Sequence, residues 1–380
     1  MVLLPHSDAK SLAVDKRADK RVDKSRSVFS TSIDIGAICM YYTSIRNQEG
    51  DTVDISYGER QFWDVRRYAL TEGRANGVRC IDVDLGELTF TVLEDRCLDI
   101  YGVKHKGRQV AWLSQNGVVA PAYYDAADDG WLKSFSGGLL TTCGLQNVGP
   151  PCVYHGRKQG IHGHISNIPA EQVRVQKERT SEGFRVAITG TMIETGVHWC
   201  NFALRRTILA ETGSAVIELH DEITNRSDVP EPLMLMYHIN FGYPLINPDT
   251  VLRIHDTEEI IPRKGAAADN LDTWDKFDPP IAGEEERVYL HRMKESGDKT
   301  SCYTLRNRAV DPDMGVDVSF SSDTLPFLTL WKNPRPGEYV AGIEPGNNHG
   351  EGIAFEEANG TLRYVEPGET VCMSVVWKFV

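Results

Sequence analysis

The sequence predicts an all-β fold, a large antiparallel β-sandwich, on three observations. From about Ile81 onward the dominant hydrophobic period is two. Clusters of turn-forming residues punctuate that period without any break in composition. Long helical periodicity is scarce, which argues against alternating strands and helices.

At the N-terminus, Ser7 to Arg26 carries regularly spaced charges (DKRADKRVDK) and reads as a flexible arm or one solvated helix. Residues 1–50 are expected to form this arm and a lead-in, and residues 51–380 a single domain. GERQFWDVRRYAL, Gly58 to Leu70, puts Phe62, Val65 and Tyr68 at helical spacing and predicts a helix. LTFTVL then alternates Leu88, Phe90 and Val92 with Thr89 and Thr91, the pattern of a half-buried strand. VIELHDEI repeats it, with Ile217 and Leu219 against Glu218, His220 and Glu222, and VDVSF follows near Val316. The C-terminal VCMSVVWKFV aligns Val371, Met373, Val375, Trp377 and Phe379 on one face. KHKGRQ, ETGSA, TNRSDVPEP, KNPRPGE and VEPGET supply turns between such runs.

The chain has 380 residues, 41% hydrophobic and 25% charged, enough to bury a large core. A net charge of -13 disfavours nucleic acid and anionic membrane as partners and leaves small neutral ligands open. The eight cysteines form no C-x-x-C pair, so neither a disulfide framework nor a zinc ribbon is expected. They read as reduced core residues of a cytoplasmic protein. MVLLPHSDAK lacks a secretory pattern, and no apolar run reaches the length of a membrane span.

Four segments carry chemistry that a bland core does not need. LEDRCLDIYG sets Asp95, Arg96 and Asp99 after a strand, either as a surface ion-pair cluster or as an Arg fork for a polar ligand. SGGLLTTCGLQNVGPP, Ser136 to Pro151, has paired glycines where backbone approaches something closely, or a tight structural turn. GIHGHISNIPAE offers His162 and His164, which on a strand would share one face and serve a metal or a sugar. YHINFGYP, Tyr237 to Pro244, puts His238 inside an apolar strand with Asn240 on its face, and Tyr237 reads as core. Its complement is YVAGIEPGNNHGEG, where Glu344 follows Val340, Ala341 and Ile343. A carboxyl partly desolvated at a strand end has a raised pKa, and beside a His it makes an acid–base pair near neutrality.

Taken in order, DRCLDI, GGLLTTCGL, HGHISNIPAE, MLMYHINFGYPL and GIEPGNN resemble the aldose 1-epimerase (galactose mutarotase-like) superfamily. Within it they are most similar to the subfamily called domain of unknown function 4432. The resemblance spans roughly Leu88 to Asn348 and implies a β-supersandwich with a carbohydrate site in its concave face. It assigns the general acid to His238 and the general base to Glu344, and sugar binding to His162 and Arg96. Asp99, His164, Asn240 and Trp331 join the expected substrate-binding set. The chain departs from the family's H-x-Y-F-N strand, because Asn240 stands where Tyr is usual and Gly242 where Asn is usual.

The activity implied is interconversion of sugar anomers by acid–base ring opening, with a small-molecule sugar as partner and no metal or cofactor. Each proton carrier contributes roughly 10²–10⁴-fold in rate. Two other readings stand beside it. His162, His164, His238 and Glu344 are a plausible ligand set for a metal-dependent sugar isomerase. A sugar-binding protein without catalysis would keep the fold alone.

Overall fold

The computed structural model describes residues 44–46, 52–54, 58–180, 183–295 and 297–380. The charged arm expected over Ser7 to Arg26 lies outside them, as does most of the lead-in to residue 50. The described chain begins with a hairpin of β1 (Ser44–Arg46) and β2 (Thr52–Asp54). A five-stranded antiparallel sheet follows: β3 (Asp64–Ala69), β4 (Arg79–Asp84), β5 (Leu88–Leu93), β6 (Asp99–His105) and β7 (Arg108–Gln109). Next come β8 (Leu140–Leu145) and the hairpin of β9 (Cys152–Tyr154) with β10 (Arg157–Gln159). A long meander runs through β11 (Glu171–Arg179), β12 (Phe184–Thr195), β13 (Asn201–Glu211) and β14 (Val216–Asn225).

The second half supplies β15 (Glu231–Phe241), β16 (Val251–Ile254), β17 (Thr257–Pro262), the short helix α1 (Ala266–Asp269) and β18 (Arg287–Met293). It continues with β19 (Thr300–Asn307), β20 (Met314–Ser321), β21 (Phe327–Asn333) and β22 (Val340–Gly346). Helix α2 (Ile353–Asn359), β23 (Arg363–Val365) and β24 (Thr370–Phe379) complete it. Two large sheets result. One has eight strands in the order β11-β12-β13-β14-β24-β20-β19-β16. The other runs β17-β18-β21-β22-β15-β23, with β8 also paired to β15.

The main core lies between these sheets and is built by the alternation read in the sequence. Ile217, Leu219, Val375 and Trp377 point into it from the eight-stranded sheet, and Tyr237, Ile239, Phe241 and Ile343 from the other. Two tyrosine hydroxyls cross the gap: Tyr237 donates to Asp221 Oδ2 at 2.8 Å, and Tyr303 to the carbonyl of Ile343 at 3.3 Å. This is the mostly-β, large-sheet architecture expected, with two short α-helices among the described residues.

One expected element is overturned. Gly58 to Leu70 is not a helix: a single 3₁₀ turn at Glu59–Gln61 leads into strand β3. Pairing with β4 decides the conformation, reinforced by Arg67 on Glu94 at 2.7 and 2.6 Å and by the Tyr68 hydroxyl on Asp82 at 3.1 Å. β3 is an edge strand with most of its residues exposed, so it shows no clean period of two.

Candidate active site

The site lies on the face of β15 that points away from the main core. Alternation sends Met236, His238 and Asn240 to that face while Tyr237, Ile239 and Phe241 go to the core. Both faces are covered, which is why the whole strand reads as apolar around a titratable residue. The register pairs Met236 with Gly346 and Asn240 with Gly342, and so sets His238 across from Glu344 on β22. From β21, Thr329 pairs with Glu344 and Trp331 with Gly342.

This face opens into a cavity of about 440 Å³. One wall is aromatic: Trp131 stacks on Phe135 at 4.6 Å, and Phe135 and Trp331 lie 5.0 and 5.4 Å from the His238 ring. Arg263, Glu286 and Glu351 form a charged rim. Glu286 accepts a hydrogen bond from the Trp331 indole at 2.8 Å, and Arg263 is tied to Glu351. The loop after β22 is stapled to β15 by Asn347, which accepts from the Leu235 amide at 2.7 Å and donates to the Leu233 carbonyl at 2.9 Å. That is the structural content of the GNN motif.

His238 Nδ1 stands 2.7 Å from Asn240 Oδ1. Glu344 Oε1 is 3.1 Å from the same nitrogen, yet makes no hydrogen bond with it, because the N–H is aimed at Asn240. The ion-pair distance alone therefore overstates their contact. Burial lowers the His238 pKa to about 4, against the favourable bond to Asn240. Burial raises Glu344 well above the carboxylate range; the Arg263 guanidinium opposes this and Glu286 reinforces it. His162 projects into the same cavity, 4.8 Å from Trp131 and 5.8 Å from His238 between ring centres. Its Nδ1 accepts from the Gly149 amide at 3.3 Å. Burial, then the neighbouring His238 and Arg263, lower it to about 3, so it stays neutral.

Of the residues singled out in sequence, His238, Glu344, His162 and Trp331 come together around the cavity. Asn240 stands behind His238 rather than in the cavity, fully buried, and its partners are protein atoms. Three others are elsewhere. Arg96 spends its guanidinium on the backbone carbonyls of Ser166, Val119 and Ser134 at 2.6 to 3.1 Å, so its fork closes a core junction and not a ligand site. Asp99 binds Arg206 and Thr142 inside the core. His164 packs edge-on to Trp199 and lies 3.3 Å from the Tyr124 hydroxyl. The H-x-H pair sits in a turn and not on a strand: His162 has a left-handed φ of 58°, so the two rings diverge.

The four-residue metal set is consequently not assembled. Among the described residues no group of three or more His, Cys, Asp or Glu is placed to share one ion. Sequence reading missed Trp131, Phe135, Arg263 and Glu286. DDGWLKSFSGG has two aromatics four apart, Trp131 on the 3₁₀ turn Gly130–Lys133 and Phe135 just after it, too short a run to show a period. The close backbone approach read from SGGLL is present, since a side chain on Gly138 would meet Ile100 and Tyr101 backbone at 2.9 Å.

The fold is that of solved galactose mutarotase-like proteins. The family model "Domain of unknown function (DUF4432)" matches residues 75–378, and the chain belongs to that family. No curated protein matches the chain. Among solved structures, a protein of Klebsiella pneumoniae subsp. pneumoniae MGH 78578, named as a candidate aldose 1-epimerase, superposes with a TM-score of 0.78 at 24% identity. The match covers 88% of this chain and 90% of that one. A galactose mutarotase-like protein of Clostridium acetobutylicum aligns at TM-score 0.58 and 14% identity, over 84% and 98% of the two chains. A galactose mutarotase related enzyme of Lactobacillus acidophilus gives 0.52 at 16%, over 83% and 97%.

Proposed function

We propose that this protein is an aldose 1-epimerase-like isomerase that interconverts the anomers of a small sugar, with His238 and Glu344 as its two proton carriers. The observation that carries this reading is their cross-strand juxtaposition, an imidazole nitrogen and a donor-free carboxyl oxygen 3.1 Å apart at one cavity. Ring opening requires one group to take the anomeric hydroxyl proton while the other protonates the ring oxygen. Rotation about C1–C2 and closure with the roles reversed gives the other anomer. The resemblance assigns the base to Glu344 and the acid to His238, an order that needs the shared proton to start on the imidazole.

The rest of the cavity supports a sugar as occupant. Trp131, Phe135 and Trp331 present aromatic faces for the apolar side of a pyranose, and His162 offers a neutral ring nitrogen to a hydroxyl. The enzyme is proposed to act as a single domain over residues 51–380. The described cysteines are unpaired, which supports a reducing compartment such as the cytoplasm.

Proton NMR of anomer exchange, run over a panel of aldoses and ketoses, tests the reading. Exchange above the spontaneous rate that vanishes in Glu344→Gln is the expected result. Exchange that survives the substitution unchanged, or its absence with every sugar, overturns it.

A further inference from the structure

The sheet face that carries Glu344 and Trp331 continues beyond the cavity. Alternation puts Thr329, Trp331 and Asn333 on one face of β21. On the neighbouring strand Val288 pairs with Trp331, and Glu286 continues the face of Val288 just before β18 begins. Two residues advance a strand by about 6.6 Å, so Asn333 lies about 13 Å along β21 from Thr329. Thr329 and Trp331 line the cavity beside Glu344, whereas Asn333 lines a second cavity of about 420 Å³. Arg263, Glu286 and Val288 line both, so the two cavities form one trough.

The chemistry of the second cavity suits a neutral occupant rich in hydroxyls. Helix α1 walls it through Ala266 and Ala267, and Arg335 stands at its far end. The charges along it balance. Arg263, Lys264 and Arg335 are matched by Glu285, Glu286 and, from the first cavity, Glu351. Arg263 is held between the two cavities by Glu351 at 3.0 Å and the Gly350 carbonyl at 3.3 Å. Arg335 Nε donates to the Glu284 carbonyl at 2.7 Å. Cations and carboxylates in equal number create little net field to attract an anion. They do offer donors and acceptors together, and a hydroxyl uses both. Ala266, Ala267 and Val288 add small apolar surface for the C–H face of a ring.

We infer that the second cavity binds a second sugar unit, so that the substrate is a neutral reducing disaccharide or longer saccharide, its reducing-end ring at His238 and Glu344 and its next ring between α1, Asn333 and Arg335. This rests on the anomer-exchange reading and adds its substrate class. The reducing end is the inner unit, because only a ring with a free anomeric hydroxyl can open there. The glycosidic bond to the next unit passes Trp331 and Arg263 and is neither made nor broken. The outer unit contributes binding alone. Its contacts lower KM, or raise kcat where they seat the inner ring in register with the proton carriers.

The test compares each disaccharide with its own reducing-end hexose. Proton NMR of anomer exchange is run on maltose, β-1,4-galactobiose and β-1,4-mannobiose beside glucose, galactose and mannose. The expected result is a kcat/KM on the order of tenfold higher for at least one disaccharide than for its hexose. Ala266 is half-buried in the wall of the second cavity, so Ala266→Trp fills that space and should remove the advantage. Lys264 is exposed at the edge of the trough, and Lys264→Ala should reduce the advantage about fivefold without disturbing the fold. A hexose as good as every disaccharide, a hexose 6-phosphate better than all of them, or an advantage untouched in both variants overturns the inference and leaves the proposed activity standing. Saturable binding of a disaccharide that Lys264→Ala weakens, in a protein that exchanges no sugar, would sustain the second-sugar site and sink the activity instead.

Discussion

Gly342 lies directly beneath the Glu344 carboxyl. The two residues share a face of β22, and the carboxyl folds back along the strand into the space a side chain would take. A methyl group on Gly342 would collide with Glu344 Oε1 and approach Trp331 Cε3 to 3.0 Å. The glycine is required here for room, since its φ is not in the left-handed region. Gly342→Ala should therefore displace the carboxyl and the indole together. Overpacking costs about 1–3 kcal/mol, a modest fall in thermal midpoint. The proposed anomer exchange should fall much further, on the order of 10²-fold, because a proton carrier in the role proposed for Glu344 loses its alignment when displaced. Equal exchange rates in variant and wild type would show that the position of Glu344 does not matter.

His162 is predicted to bind and not to transfer protons. With Nδ1 accepting from Gly149, its proton is on Nε2 and available to a sugar oxygen. Its pKa of about 3 keeps it neutral throughout the working range. His162→Asn is the suitable variant, because asparagine tolerates the left-handed backbone found there. The loss of one neutral hydrogen bond, about 1 kcal/mol, should raise KM roughly 5- to 10-fold and leave kcat within a few-fold, equally at all pH values above about 4. Steady-state kinetics across pH checks this. A kcat collapse would make His162 a proton carrier.

The legibility of this chain in sequence divides by what sets each feature. Strands β5, β14, β20 and β24 were readable because one face is buried and the other wet, so composition alternates with the pleat. β15 was readable only as a run, since both its faces are covered, and His238 and Glu344 surfaced as polar exceptions inside apolar runs. Asn240 was rightly put on the face of His238 by alternation, but its partner is the imidazole itself. Arg96 and Asp99 looked like ligand groups because a charge near a strand end reads the same whether it meets a ligand or a buried carbonyl. The tight turn at Cys97 and Leu98, with φ of 56° and 53°, folds them inward, and no local pattern announces it. The cavity walls at Trp131, on a short 3₁₀ turn, and at Arg263, just after β17, come from segments distant in sequence that only the sheets bring together.

Arg206, on β13, makes contacts that likewise only the assembled sheets reveal, and its energetics can be tested. It is completely buried and pairs in two places with Asp221, at 2.9 and 2.7 Å, while also reaching Asp99 at 2.8 Å and Thr142 Oγ1 at 2.9 Å. Thr142 is on β8, beside the residue that pairs with His238, so the network ties the eight-stranded sheet to the strand flanking the site. Removing the cation alone strands two carboxylates in the core. Arg206→Met should destabilise by about 3–5 kcal/mol, read as a lower urea midpoint. Removing all three charges together, with Asp99→Leu and Asp221→Leu added, should recover part of that loss. A single variant as stable as wild type would show that the network contributes nothing.

Glu194 should make stability fall as pH rises. It is 2% exposed, accepts one bond from the Leu145 amide at 3.2 Å through Oε2, and has no partner for Oε1. Burial raises its pKa to about 8, opposed by that single bond. In the unfolded chain a glutamate ionises at about 4.3. Between those values the native protein holds a proton that the unfolded chain has released, so increasing pH favours unfolding. The stabilising contribution is complete below the unfolded pKa and is lost as pH climbs through about 8. Glu194→Gln removes the titration. Wild type should therefore lose stability relative to the variant between about pH 5 and about pH 8, by a few kcal/mol, since one proton held against a tenfold fall in proton activity costs about 1.4 kcal/mol. Urea unfolding of both proteins at the two pH values measures it, and other titrating groups cancel in the comparison. Parallel stability profiles would mean that Glu194 is ionised in the folded protein, which its missing partner gives no means to support.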